Sequence, residues 1–203
     1  MPFTTRWGGM WCLLLCISSA AIPGGVSAEV FHSKQSALRL AFPDADAVEK
    51  KEIFLSGEDS EKVGRLAGVK LKSRLVTVYI GRKEERVVGY AFIDTHKVRS
   101  LPETLLVVLD RDGLTRGVYM LAFHEPPEYA PTDRWLRQFE GRPLNSELSL
   151  RGEVDGITGA TLTANAITAT VRSILAVFNV ALGSVESYDD SNSKMGGSMP
   201  SGQ

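Results

Sequence analysis

The chain has 203 residues, of which 43% are hydrophobic, so it is long enough and apolar enough for one domain with a buried core. Lysine and arginine number 23 against 24 for aspartate and glutamate, and this balance excludes a protein that binds nucleic acid through a broad basic face. Two cysteines and three histidines are too few for a structural zinc cluster, and no apolar run reaches the roughly 18–20 residues of a membrane-spanning helix.

Residues 1–28 have the pattern of a secretory signal peptide. Their one charged side chain is Arg6, an apolar run of about 13 residues follows it, and Ala28 ends a stretch of small residues suited to signal peptidase. An uncleaved membrane anchor and a buried core helix are the alternatives. The run is short for an anchor, and the helix-breaking Pro-Gly-Gly at 23–25 argues against a core helix. We expect cleavage after Ala28 and a periplasmic or extracytoplasmic location.

Both cysteines, Cys12 and Cys16, lie in this segment. The sequence Leu-Leu-Leu-Cys16 resembles a lipoprotein site, although the leucine directly before the cysteine is bulkier than usual there. Lipidation and membrane association are therefore alternatives to simple cleavage. A chain cleaved after Ala28 would contain no cysteine, and so no disulfide and no thiolate ligand.

The chain after the leader begins with two helical patterns around one short strand. Residues 33–42 place apolar side chains on one helical face, and Pro43 ends that run. Residues 48–55 have a strand-like pattern, and residues 57–67 predict a second helix that Gly68 stops.

Four runs rich in β-branched and aromatic residues follow. They cover residues 75–80, 86–93, 104–109 and 118–123. Short segments with turn signals separate them, which predicts an antiparallel meander. Asp112-Gly113 is typical of a hairpin turn. Asp110 and Asp112 flank an arginine, so we interpret them as turn residues and not as cation ligands. His96 has no partner at metal-ligand spacing, and we interpret it as a surface residue.

Two further helices and a polar tail complete the chain. Residues 132–140 predict a short helix with Thr132 as N-cap, and residues 162–182 predict a long one. The long helix would direct these residues inward: Leu162, Ala166, Ile167, Val171, Ile174, Leu175, Phe178 and Leu182. Residues 184–203 are rich in serine, glycine, aspartate and asparagine, and we expect disorder there. The whole pattern predicts a single α+β domain, an antiparallel sheet packed by helices, over residues 29–183.

The stretch Asp155–Thr163 leads directly into the long helix and carries the chemistry. It is a glycine-interrupted turn with three hydroxyl groups, and it ends at a helix N-terminus whose unpaired N–H groups favour a phosphate. The small residues Gly156, Gly159 and Ala160 let a bulky group approach the backbone. On spacing alone, ordinary helix capping by aspartate and threonine is the simpler interpretation.

Residues 155–161 read Asp-Gly-Ile-Thr-Gly-Ala-Thr and match, at every fixed position, the motif Asp-Gly-x-Ser/Thr-Gly-Ala-Thr. The chain therefore resembles the extracytoplasmic FMN-binding domains, which include the flavin-carrying subunits of the sodium-translocating NADH:quinone reductase and of the Rnf complex. In that family a flavin transferase that uses FAD and Mg²⁺ joins the last threonine of the motif to the FMN phosphate. The resemblance implies covalent FMN on Thr161, with Thr163 as the alternative hydroxyl, and a membrane-bound redox donor or acceptor.

The resemblance extends more loosely over residues 75–182. Trp135–Gly141 is similar to the family's Trp-Leu-x-Gln-Phe-x-Gly helix, whereas His124–Pro131 differs from its Glu-Thr-Pro-Gly-Leu-Gly signature. Candidate contacts to the flavin ring are His124, Glu125, Tyr129 and Trp135. Core packing is the favoured alternative for Trp135, and a surface loop position is the favoured alternative for Tyr129. The other candidate cofactor-binding residues are Asp155, Gly156, Thr158, Gly159, Ala160, Thr161, Leu162 and Thr163.

The resemblance implies an exported electron-transfer flavoprotein in which residues 29–183 form the FMN-binding domain. No convergent set of acid, base and nucleophile is visible in the sequence, which favours an electron carrier over an enzyme with its own substrate. A periplasmic flavin-dependent reductase that acts on a small molecule is one alternative. A non-redox binding module, in which the motif only caps a helix, is the other.

Overall fold

The structure is a computed structural model that describes residues 29–30 and 33–183. The helices and strands, in chain order, are β1 (Glu29–Val30), α1 (Lys34–Ala41), β2 (Ala47–Phe54), α2 (Gly57–Ala67), β3 (Leu75–Lys83), β4 (Arg86–Lys97), β5 (Pro102–Leu109), β6 (Thr115–Phe123), α3 (Asp133–Leu136) and α4 (Thr161–Val177). Short 3-10 turns cover Pro127–Tyr129 and Arg137–Phe139, and a π-helical turn, Phe178–Leu182, extends α4. The predicted signal peptide and the predicted disordered tail lie outside the described residues.

All six strands form one antiparallel sheet in the order β1-β6-β5-β4-β3-β2. Strands β2 to β6 are each paired with the next along the chain, so the predicted meander and the α+β fold class are confirmed. β2 forms one edge of the sheet, and all but one of its eight residues are exposed. Four consecutive charged residues, Glu49–Glu52, lie on this edge strand.

The two faces of the sheet are covered unequally. One face packs against α2, α3 and α4 in the larger core, to which α4 contributes Ile167, Val171 and Leu175. The other face packs against the short helix α1 alone among the described helices. Gly81 of β3 belongs to this second face, and a Cβ there would lie 2.5 Å from the Phe42 ring, so only glycine admits the aromatic side chain.

The first two helices begin and end where the sequence indicates. The Ser33 hydroxyl accepts a hydrogen bond from the backbone N–H of Ser36 at the start of α1, and the Ser56 hydroxyl accepts one from Asp59 at the start of α2. Gly68 ends α2 in the left-handed conformation, with φ of 72°. These local contacts account for the observed ends of the two helices.

The later helical segments differ in detail from the predictions. Residues 132–140 begin with the predicted Thr132 cap, but the α-helix lasts four residues before the chain tightens into a 3-10 turn that buries Phe139 completely. The predicted inward position of Leu162 is wrong, because its side chain is 54% exposed in the first turn of α4. Ala166 is half-buried, and the other predicted inward residues of α4 and its π-helical turn are buried.

The continuous helix Thr161–Leu182 is the one helix in the described part of the chain that is long and apolar enough to cross a membrane. It has 22 residues, the mean hydropathy of its most apolar window is 1.4, and half of that window is buried inside the domain. The sequence has no continuous apolar run here because threonine, serine, asparagine and Arg172 interrupt the pattern. Its buried half packs in the larger core, which accounts for its apolar composition without a membrane.

Candidate functional site

The motif 155–161 forms a loop that ends at the N-terminus of α4. Ala160 is the N-cap residue of this helix, and its backbone accepts the first helical hydrogen bond from Ala164 at 3.1 Å. No side chain caps the helix start among the described residues, in contrast to α1, α2 and α3. The first N–H groups of α4 are therefore left for another acceptor, and an anion is the group that a helix N-terminus stabilises.

The three hydroxyl groups of this stretch differ in exposure. Thr158 and Thr161 are exposed, whereas Thr163 is only 2% exposed. Thr161 is the first residue of α4, so its hydroxyl lies at the helix end that carries the unpaired N–H groups. Of the two predicted acceptors, Thr161 is the one an external enzyme could reach.

A pocket of about 230 Å³ opens beside this helix start. Its lining comes from three parts of the chain: the β4–β5 turn, the segment after β6, and the beginning of α4. The lining residues are Val98, Arg99, Glu125, Tyr129, Gly159, Ala160, Thr161, Leu162 and Thr163. The pocket therefore joins the motif threonines to a cation, a carboxylate, an aromatic ring and apolar side chains.

Glycines give the motif loop its shape and its open surface. Gly159 has φ of 79°, a conformation that favours glycine. A Cβ at Gly156 would meet no described atom within 4 Å. A larger residue at position 156 would therefore meet no steric clash within the protein. The glycine instead leaves the surface of the loop open to an approaching molecule.

Two residues of the segment from α3 onward hold the start of the motif loop. The Trp135 indole Nε1–H donates to the backbone carbonyl of Asp155 at 2.7 Å, and the Gln138 side-chain carbonyl accepts from the Asp155 backbone N–H at 2.9 Å. The Trp135 side chain is buried and packs edge-on against Phe139, with ring centroids 5.4 Å apart. Trp135 and Gln138 together hold the backbone N–H and carbonyl of Asp155 against the core, while the Asp155 side chain is exposed.

Glu125 fixes the opposite wall of the pocket. Its carboxylate Oε1 accepts three backbone hydrogen bonds from the β4–β5 turn: from Arg99 at 3.1 Å, Ser100 at 2.7 Å and Leu101 at 2.8 Å. The N–H groups of Leu101 and Ser100 are the main reason that the pKa of Glu125 lies below its usual value. Glu125 therefore stays ionised and locks the turn that presents Arg99. The Arg99 guanidinium lies over the Tyr129 ring, 5.9 Å from its centroid.

The structure brings together seven of the twelve predicted cofactor-binding residues. Lining the pocket are Glu125, Tyr129, Gly159, Ala160, Thr161, Leu162 and Thr163. Asp155, Gly156 and Thr158 belong to the loop that leads to it but do not line it. His124 points elsewhere, because its Nδ1–H donates to the Pro102 carbonyl at 3.0 Å. Trp135 is a core residue that holds the loop, which agrees with the alternative favoured for it.

The sequence did not identify two residues that line the pocket, and the prediction for His96 was wrong. Val98 and Arg99 line the pocket from the β4–β5 turn. The one sequence feature that could have indicated them is an arginine in the short segment between two predicted strands. His96 is not a surface residue: its side chain is 7% exposed and lies 2.8 Å from both Asp94 and Glu103. Glu103 follows His96 by seven positions and becomes adjacent to it only through the register of the β4–β5 hairpin. Within residues 29–30 and 33–183 no cluster of potential ligands could hold a metal ion.

Comparisons with known proteins agree with this geometry. Residues 99–176 match the family model of the FMN-binding domain, a stretch that begins at Arg99 and includes the whole motif. The chain is also 27% identical, over 133 residues, to a subunit of the Na(+)-translocating ferredoxin:NAD(+) oxidoreductase complex of Acetobacterium woodii. That alignment covers 60% of this chain and 64% of the relative, so the chain spans slightly less than two thirds of the relative's length. The region matched by the family model contains the uncapped helix start, the motif and Arg99, and over these residues the chain is similar to the FMN-binding domain family.

Proposed function

We propose that this protein is an exported electron-transfer flavoprotein that carries FMN as a phosphoester on Thr161. The observation that carries the proposal is the position of Thr161: an exposed hydroxyl at an uncapped helix N-terminus, inside the pocket of an FMN-binding domain. Bound FMN would supply the capacity to accept and release electrons, and the residues of this chain would hold and orient it.

The choice of Thr161 over Thr163 rests on exposure. A transferase must bring its flavin donor within bonding distance of the hydroxyl oxygen, and Thr163 is buried while Thr161 is exposed. The open surface at Gly156 and the exposed Thr158 give a large partner room to approach the loop. The clamp on Asp155 by Trp135 and Gln138 would hold the loop in position for that partner.

Charge supports a phosphate at this position. A phosphodiester keeps one negative charge, and the first N–H groups of α4 with the helix dipole would stabilise it. Arg99 is the only cationic side chain that lines the described pocket. Glu125, the only acidic one, already has Oε1 engaged by three backbone N–H groups. The absence of a side-chain cap on α4 among the described residues speaks against a motif that serves only to cap the helix.

The size of the pocket supports a carrier. Ligand pockets in proteins typically measure about 300–1,000 Å³. The 230 Å³ here would enclose part of the cofactor and leave the rest at the surface, next to the exposed Leu162. A flavin ring accessible from outside can exchange electrons with a second protein, and no enclosed substrate site adjoins it in the described residues. The relative named above is a subunit of a redox complex, and we propose a membrane-bound redox protein as partner here too.

The test is intact mass and visible absorption of the chain exported from cells that contain a flavin transferase for this motif. We expect a mass corresponding to cleavage after Ala28 plus FMN minus one water, and a yellow protein that keeps its colour after denaturation. Thr161→Ala should lose the adduct completely. Ser146→Ala removes an exposed hydroxyl outside the motif and the pocket, and we expect it to retain the adduct.

Each alternative has its own outcome in this experiment. An adduct that survives in Thr161→Ala and disappears in Thr163→Val would move the attachment site to Thr163. A chain that keeps residues 1–28 would contradict cleavage. Absence of flavin from the wild-type chain, beside a control substrate that is modified in the same cells, would refute the covalent carrier.

A further inference from the structure

A buried histidine and a buried glutamate face each other beside the turn of the β4–β5 hairpin, which forms one wall of the pocket. His96 of β4 is the cross-strand partner of Glu103 of β5, and the His96 Nε2 atom lies 2.8 Å from Glu103 Oε1. The other ring nitrogen, Nδ1, lies 2.8 Å from Asp94 Oδ2 and 3.4 Å from the Thr170 hydroxyl of α4. Because both nitrogens face carboxylate oxygens, the ring can satisfy both only as a doubly protonated cation.

Burial makes this arrangement unusual for ionisable side chains. His96 is 7% exposed, Glu103 is completely buried, and Asp94 alone reaches solvent, at 45%. Neither Glu103 oxygen accepts a well-aligned hydrogen bond among the described residues, although Oε1 lies 2.8 Å from His96 Nε2. A buried carboxylate oxygen without a donor is costly, and protonation is one way to remove that cost.

The proton affinities follow from these surroundings. Burial lowers the pKa of His96, but the hydrogen bonds and charges of Asp94 and Glu103 outweigh it and raise the pKa to about 9. Burial raises the pKa of Glu103 above its ordinary value, against the opposing effect of His96. The pair therefore holds one proton throughout the neutral range, and Glu103 can accept a second one at a higher pH than an exposed glutamate would.

Three elements connect this pair to the pocket. The β4–β5 turn begins two residues after His96, and it carries Val98 and Arg99 into the pocket lining. Glu125 lines the pocket, and its negative charge also helps to raise the pKa of Glu103. Helix α4 presents Thr161 at its start and reaches the His96 ring through Thr170.

In the part of the chain that the structure describes, two charged groups act on the pair. They are Asp94 on β4 and Glu125 after β6, while α4 contributes the neutral Thr170 hydroxyl. Both of these groups are acidic, so any further negative charge in the pocket acts in the same direction: it favours an extra proton on the pair.

We propose that the His96–Glu103 pair takes up a proton from solvent when negative charge arrives in the pocket, and so makes the reduction of a flavin bound there depend on pH. This inference rests on the proposed function. The electron comes from an external reductant, sodium dithionite in the test below, and the proton comes from water by way of the exposed side of Asp94. The pair touches no reacting atom, so His96 and Glu103 are positioning residues with an electrostatic effect.

Thermodynamic linkage fixes the sign and makes the effect reciprocal. If reduction raises the proton affinity of the pair, then a lower pH must favour reduction by the same free energy. The midpoint potential of the bound flavin should therefore rise as the pH falls toward the raised pKa of Glu103. This dependence adds to the one that the flavin ring itself contributes.

The first experiment is a potentiometric titration with dithionite, from pH 5 to pH 10, on the flavin-loaded chain. We expect a shallower dependence of the midpoint potential on pH in Glu103→Gln and in His96→Gln than in the wild type. The matched control is Thr95→Val, because Thr95 and Thr104 form the adjacent cross-strand pair of the same hairpin, with their hydroxyl oxygens 2.9 Å apart. This variant should keep the wild-type slope.

The second experiment uses the chain without covalent flavin, so that it does not depend on the transferase. The His96 imidazole is titrated by NMR with and without added FMN. We expect a midpoint near pH 9 that rises when FMN is added, because the FMN phosphate would bring negative charge into the pocket and favour the protonated imidazole. Asp94→Asn should lower that midpoint, because it removes one of the two carboxylates beside the ring and leaves His96 and Glu103 in place.

The outcomes separate the two proposals. A flavin-loaded wild type whose slope equals that of Glu103→Gln, together with an imidazole titration that FMN does not move, overturns the coupling and leaves the carrier intact. A chain that never gains covalent flavin, but whose His96 titration responds to FMN, supports the coupling and overturns the covalent attachment. A His96 midpoint near that of free histidine overturns the coupling in either case.

Discussion

The two ends of α4 show how one helix serves two purposes. Its first turn, Thr161–Thr163, has no side-chain cap and exposes Thr161 and Leu162 to the pocket. From Ala164 onward the inward face is buried, with Ile167 and Val171 at 0% exposure. The helix therefore packs against the core along its length, whereas no described side chain accepts a hydrogen bond from the N–H groups at its start.

The buried part of α4 therefore contributes to stability, whereas its first residues are available for binding. A helix N-terminus without a cap forgoes a contribution of about 1 kcal/mol. The buried part of α4 offsets that loss many times over, since each large apolar side chain contributes roughly 1.5–3 kcal/mol on burial. Substitutions in the buried part should therefore lower stability, whereas substitutions at the start of the helix should lower flavin content and leave stability nearly unchanged. The predictions below run from the largest expected loss of stability to the smallest.

Ile167→Ala should cause the largest loss of stability. The side chain is fully buried against the sheet, and its truncation leaves a cavity that typically costs about 2–5 kcal/mol. Urea denaturation of the purified chain, followed by circular dichroism, measures the difference. Leu162→Ala is the matched control on the same helix, and we expect a change within about 0.5 kcal/mol because that leucine is exposed. Equal losses in both variants would contradict the division of α4 into two parts.

Arg172→Met should have an intermediate effect. The Arg172 guanidinium donates to four backbone carbonyls: Leu66 at 3.2 Å, Ala67 at 2.8 Å, Asn145 at 2.8 Å and Leu148 at 2.9 Å. Methionine keeps the length of the side chain but removes every donor, and we expect a loss of about 1–3 kcal/mol.

The same urea titration measures the Arg172→Met effect, and Arg134→Met, at an exposed position of α3, is its control. A stability equal to that of the control variant would show that solvent replaces the guanidinium at these carbonyls. The anchoring of α4 to α2 would then rest on apolar packing alone.

Thr161→Ala should have the smallest effect on stability and the largest on flavin content. Its side chain is exposed and caps nothing, so we expect a change in unfolding free energy within about 0.5 kcal/mol in the flavin-free chain. Urea denaturation of the flavin-free wild type and variant provides the comparison. A loss above about 1 kcal/mol, the usual value of a helix cap, would mean that the hydroxyl has a structural role, and the uncapped helix start would need another explanation.

Local signals in the sequence were sufficient for most of the fold. Ser33 and Ser56 cap the first two helices, Gly68 stops the second, and the strands pair in the order of a meander. Each of these features depends on residues a few positions apart. The 3-10 turn after α3 was not predictable in the same way, because it follows from the tertiary packing of Phe139.

The candidate site was predictable only in part for the same reason. The motif identified Thr161 and its neighbours, since their spacing is local. Arg99 joins them from a turn far earlier in the sequence, and His96 meets Glu103 only when the hairpin register is set. Leu162 was misplaced because a helical period groups it with Ala166, whereas the buried stripe of α4 begins at Thr163 and Ala164 on the neighbouring side of the helix.

The charged edge strand β2 bears on how the protein behaves at high concentration. A free sheet edge can pair with the edge of another molecule and start aggregation. In β2, two glutamates and two lysines, Glu49–Glu52, cover that edge, so a second sheet that docks there would have to desolvate charges before its backbone could form hydrogen bonds. The charges of β2 thus oppose pairing of this edge of the sheet with another molecule.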